Sequence, residues 1–277
     1  MSWGIASRRV AQTAAVLLCA AAAKLYYSTA GADGLRWILA PTAAAVGALS
    51  GARFEFEPHA GYVNGDRSFV IAASCAGVNF LITSFLMLSL MRLWGSRSRE
   101  TAWRFIPCAA LAAYVATLAA NTVRISAALS TRGLSPVAGW LDAGELHRLE
   151  GILIYFGFLL LLFAAAEKVS PDGGEGSGHA PGLFRRPLFP LLVYYATTLG
   201  VPALNGAYRR GTDFWEHSLF VLLTPLLLTL PLALKDLLKR CSTLSRERGH
   251  LSSNSEDEAR GGPDVGNRAD YSFKRLR

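Results

Sequence analysis

The sequence predicts an all-α, polytopic transmembrane helical bundle of about 6–7 membrane helices with short outer loops. Three observations carry that expectation. Of the 277 residues, 52% are hydrophobic and only 17% charged, whereas soluble chains carry about 25% charged residues. The charge deficit is gathered into stretches of roughly 16–20 residues almost free of charge, each long enough as a helix to cross a hydrocarbon core of about 30 Å. The connections between them are charged or rich in glycine and proline.

The first apolar run, 10–27, follows Arg8 and Arg9 and has the outline of a signal peptide, but Lys24, Tyr26 and Tyr27 interrupt it. An uncleaved first helix is the expectation. The second run, 36–50, is short and contains Pro41, and both a full and a partial span are open for it at this point. Next comes "FEFEPHAGYVNGDRSF" (54–69), whose alternation and Asn64-Gly65 pair predict a short outer hairpin. Five further runs follow at 76–93, 105–128, 150–166, 188–204 and 217–234, with a Gly-rich linker at 167–187. The division expected is a membrane domain over 1–240 and a basic, disordered cytoplasmic tail over 241–277.

The net charge is +8. No aromatic-studded basic face accompanies it, so no nucleic-acid partner is expected; membrane lipid and topology account for it better. The loop "MRLWGSRSRETAWR" (91–104) holds Arg92, Arg97, Arg99 and Arg104 against Glu100 alone, and the linker ends in Arg185 and Arg186. These regions and the tail are expected on the inside. Segments 51–75, 129–149 and 205–216 then face outward, and acidic residues outnumber arginines in them. For the N-terminus, seven full spans and the Arg8-Arg9 pair give opposite answers. The four cysteines (Cys19, Cys75, Cys108, Cys241) form no CxxC pair, so neither a disulfide framework nor a zinc site is expected.

Ionisable residues beside apolar surface cost at least about 2.5–3.5 kcal/mol at mid-bilayer and need a partner or a task. Cys75, in "SFVIAASCAGVNFLITSFLML", is one. With Ser74 as N-cap it would lie in the first turn of a helix, where the dipole favours an anion. Arg124 is the second; Asn121 lies three residues before it on the same helix face, and apolar residues continue beyond it. Its guanidinium is a planar fork suited to a carboxylate or an oxyanion. His147 is the third, with Gly151 and Tyr155 following at four-residue steps. Each has a plainer reading taken singly: a cysteine that packs among small residues, an arginine that reaches headgroups, a solvated loop histidine. Together, near the outer ends of consecutive spans, a thiol, an imidazole and a guanidinium are what covalent acyl chemistry requires.

At "ASCAGVNF", "NTVRIS" and "ELHRLEGI" the chain resembles the exosortase/archaeosortase family of membrane cysteine transpeptidases, most closely the branch called exosortase K. The resemblance covers roughly residues 60–165 and departs at Ala76, where many relatives have serine. It implies Cys75 as nucleophile, His147 as acid/base and Arg124 as the group holding substrate or oxyanion. Gly77, Asn79 and Asn121 would contact substrate. It implies no metal or organic cofactor. The partners would be exported proteins with a C-terminal sorting signal, cleaved through a thioacyl intermediate at the outer face of a bacterial plasma membrane. Two other classes remain open at this point: a transporter or channel with a polar path along Asn121, Arg124 and His147, and an assembly subunit that docks through its basic tail.

Overall fold

The structure, a computed structural model, describes residues 2–95, 103–131, 143–169, 188–204, 215 and 218–231. Helix accounts for 82% of them, in keeping with an all-α chain. Helix α1 (Ser2–Thr29) is followed by α2 (Arg36–Ser50) and a small antiparallel sheet of β1 (Phe54–Glu57), β2 (Gly61–Asn64) and β3 (Val70–Ile71). Then come α3 (Val78–Leu90), α4 (Phe105–Thr131), α5 (Ala143–Val169) and α6 (Leu188–Tyr195). A π turn at Ala196–Gly200 joins α6 to the single turn α7 (Val201–Leu204), and a last apolar helix covers Ser218–Pro231. Met1–Leu230 gather into one unit. The expected domain boundary at 240 and the tail lie outside the described residues.

Among the described residues, four segments are long and apolar enough to cross a membrane: Ala6–Thr29, Ala73–Trp94, Phe105–Thr131 and Arg148–Val169. Leu188–Ala203 and Ser218–Pro231 are apolar but shorter. Helix α2 has 15 residues, with Pro41 inside, and at 1.5 Å per residue reaches only about 22 Å. It lies against the sheet at both of its ends. The Arg36 guanidinium stacks 4.2 Å from the Phe56 ring centroid, and Gly47 sits close to Ala52 and Phe54. The helix also packs along α4.

The bundle is built around α3. Half of its apolar window is buried, against 17–28% in the other three long segments, and α1, α4, α5 and α6 all pack on it. The close fit of α4 follows from a stripe of mainly small residues at four-residue steps, Ala109, Ala113, Thr117 and Asn121, all buried. Small side chains let two backbones approach where lipid offers no hydrophobic drive for association. The opposite faces carry exposed Leu17, Leu18, Leu111, Leu161 and Leu227, a surface suited to hydrocarbon rather than water.

Contacts along the helices set their directions. Trp94 Nε1 donates to Thr13 Oγ1 at one end of the bundle, and Lys24 Nζ donates to Asn79 Oδ1 at the other. Helices α1 and α3 are therefore antiparallel. The Arg8-Arg9 end of α1 lies on the side of Trp94, away from Cys75.

The expected hairpin at 54–69 is a three-stranded meander instead. Phe54 pairs with Asn64 and Glu57 with Gly61 across the first turn, and Tyr62 pairs with Ile71 across the second. The Asn64-Gly65 pair lies in the second turn, which is longer than two residues. Asn64 closes it, accepting from the Phe69 amide at 2.7 Å and donating to Ser68 Oγ at 3.0 Å. Strand β3 leads straight into the segment that carries Cys75.

Candidate functional site around Cys75

Cys75 does not lie in the first turn of α3, and Ser74 does not cap that helix. Ala73–Cys75 form a single 3-10 turn. The chain then reverses at Gly77, with φ +70°, and α3 begins at Val78 without a side-chain cap. The expectation failed because a left-handed residue after the cysteine resets the chain before the helix starts, and hydropathy does not register that break. Cys75 is consequently a half-buried residue of a tight turn at the head of α3.

Arg124 sits seven residues before the end of α4, about 10 Å in from it. It leans across to α5: its Nη1 donates to the Tyr155 hydroxyl at 2.7 Å, and its stem passes Gly151, where an added Cβ would stand 3.8 Å away. The guanidinium also lies over the Tyr155 ring, 5.3 Å from the centroid, a cation–π geometry. Tyr155 donates in turn to Asn121 Oδ1 at 2.9 Å, and Asn121 Nδ2 donates to the Cys75 carbonyl oxygen at 2.5 Å. Thiol and guanidinium thus occupy the same end of the bundle.

Beside the Cys75 turn opens a cavity of about 300 Å³, lined by Ser74, Gly77 and Asn79 around the head of α3 but not by Cys75 itself, by Arg124, and by Arg148, Gly151 and Tyr155 from α5. Tyr27 of α1 closes one side, and Phe80, Ile152, Tyr194 and Val221 supply apolar wall. Helix α6 is tied in through Thr83 and Thr197, whose hydroxyls share a hydrogen bond at 2.8 Å. Gly77 and Asn79, expected to meet substrate, line this space. Asn121 is fully buried beneath the turn, with its amide committed to Cys75 and Tyr155. His147 falls in the opening turns of α5; its side chain lies outside the described residues.

Three residues of the site carried no site role in the sequence reading. Tyr155 had a signal, its four-residue step from Gly151. Tyr27 and Arg148 had none, because neither α1 nor the charge at the start of α5 is distinguished by local pattern.

Gly77 is the most constrained backbone position here. Besides its left-handed φ, an added Cβ would stand 3.2 Å from the Tyr155 hydroxyl and 3.3 Å from both Asn121 Cγ and Thr117 Cγ2. Gly77→Ala is expected to destabilise the protein by about 1–2 kcal/mol from backbone conformation alone. A lowered thermal unfolding midpoint in detergent would be the measured effect; an unchanged midpoint would contradict this packing. No protein-family model, no curated protein and no solved structure matches the chain.

Proposed function

We propose that the protein is a membrane-embedded cysteine transpeptidase that cleaves C-terminal sorting signals of exported proteins at the outer face of the cell membrane. The observation that carries this reading is the hydrogen-bonded chain from Arg124 through Tyr155 and Asn121 to the Cys75 carbonyl, which brings the Cys75 turn and Arg124 to one end of the bundle, beside a cavity lined by Arg124 and by Ser74 and Gly77 around the cysteine. The resemblance to exosortases at "ASCAGVNF", "NTVRIS" and "ELHRLEGI" supports the same assignment. The Arg8-Arg9 end of α1 lies on the side of Trp94, which leads into the arginine-rich loop 91–104, and opposite the Cys75 turn. That side is the inside by charge, which leaves Cys75 outward.

In this mechanism the Cys75 thiolate attacks the scissile carbonyl carbon, and Arg124 steadies the oxygen as it gains negative charge. The C–N bond breaks, His147 gives a proton to the leaving amine, and the substrate remains as a thioester on Cys75. An acceptor amine or water then attacks that thioester, loses its proton to His147 and releases the thiolate. The cavity gives the residues flanking the cleaved bond an apolar wall on one side and Arg124 and Arg148 on the other.

The test is to trap the intermediate. A peptide carrying a C-terminal sorting signal, incubated with the full-length protein in micelles and quenched in acid, is expected to leave its N-terminal part on Cys75, visible by mass spectrometry. The adduct should be released by neutral hydroxylamine, as a thioester is. Absence of any adduct on Cys75, with processing still observed, would overturn the mechanism.

A further inference from the structure

We infer that Tyr155 is a positioning residue, whose hydroxyl couples the Arg124 guanidinium to the backbone of Cys75 through Asn121. The inference rests on the reading of Cys75 and Arg124 as reacting groups, and it assigns work to a residue that touches neither the thiol nor a scissile bond. Three hydrogen bonds carry it. Arg124 Nη1 donates to the Tyr155 oxygen at 2.7 Å, that hydroxyl donates to Asn121 Oδ1 at 2.9 Å, and Asn121 Nδ2 donates to the Cys75 carbonyl at 2.5 Å.

Directionality makes the chain a unit. The guanidinium can only donate, so the phenol oxygen must accept from it and spend its own proton on Asn121. That fixes the amide with its oxygen toward Tyr155 and its nitrogen toward Cys75. Asn121 is fully buried, where an amide left unpaired would carry its whole desolvation penalty. The ring of Tyr155 is held independently, stacked on Phe80 with centroids 5.0 Å apart. The hydroxyl can therefore be removed without removing what places the ring.

Position relative to the turn supports a positioning role over simple core filling. The Tyr155 oxygen and Asn121 crowd Gly77 from below, so the relay abuts the residue whose reversal sets the cysteine off the helix. Arg124 and the Cys75 turn belong to α4 and to the head of α3, and Tyr155 to α5. Asn121 already ties α4 to the Cys75 turn; what Tyr155 adds is a directed bond that holds the Arg124 side chain and the Asn121 amide in one arrangement, which packing fixes less sharply.

The experiment uses the full chain in micelles, as the parent, Tyr155→Phe, Arg124→Lys and the double variant. Two rates are read: iodoacetamide alkylation of Cys75, followed by mass spectrometry of its peptide, and turnover of a signal-bearing substrate. Tyr155→Phe is expected to change the alkylation rate at least about threefold and to lower kcat about tenfold, with KM shifted less than about twofold, the size of a lost hydrogen bond to a charged group. The double variant is expected to match Arg124→Lys alone, because groups acting as a unit are not additive. If Tyr155→Phe alkylates and turns over like the parent, whether or not its unfolding midpoint falls, the hydroxyl only fills space and the inference is wrong. Effects that multiply in the double variant would also overturn it. The alkylation arm needs no substrate, so it judges the relay even if Cys75→Ala proves that processing does not depend on the thiol.

Discussion

Cys75→Ala is expected to abolish processing of a signal-bearing substrate while the protein still inserts and folds. Removing a covalent nucleophile from a site whose parts act together costs more than about 10³-fold in turnover. The fold should survive because Cys75 is only half-buried and bridges nothing; its backbone, not its sulfur, holds the hydrogen bond to Asn121. Turnover by membranes carrying the variant is the measurement, with protein amount and unfolding midpoint as controls. Cys19→Ala and Cys108→Ala, both on the exposed faces of the bundle, are expected to leave turnover at the parent level. Parent-level processing by Cys75→Ala would end the transpeptidase reading and turn attention to solute flux through the cavity.

Arg124→Ala is expected to lower kcat by about 10²–10³-fold, the range for losing one donor to a developing oxyanion. Arg124→Lys should recover little of this. A lysine keeps the charge but not the planar fork that can hold the Tyr155 hydroxyl with one nitrogen and leave others facing the cavity. Folding is expected to tolerate both changes, since Tyr155 keeps its bond to Asn121 and its stack on Phe80. Measured kcat and KM for the two variants decide the point. Full activity in Arg124→Lys would mean that only a diffuse positive charge is needed, and equal loss of KM and kcat terms would recast Arg124 as a substrate anchor.

Legibility from sequence varied with how local the deciding interaction is. The apolar runs identified every described helix of the bundle. The alternating segment before Cys75 was legible as strands, though the Asn64-Gly65 pair turned out to serve the second of two turns. Arg124 was visible because a charge amid apolar residues is conspicuous, and the three-residue step to Asn121 put both on one face.

The sequence by itself determined where the apolar helices run and which polar residues needed a reason, though it predicted about 6–7 membrane helices where four described ones are long enough to cross. Those features depend on composition within a window of one helix, and hydrocarbon imposes them whatever the neighbours are. Only the tertiary structure decided that α3 begins at Val78 after a left-handed Gly77, that Asn121 gives its amide to the Cys75 carbonyl, and that Tyr27 and Tyr155 share the site. Each of those is a choice of partner between helices distant in sequence. Lipid tails are as apolar as leucine, so burial cannot select the partner; close packing of small residues and directed hydrogen bonds do.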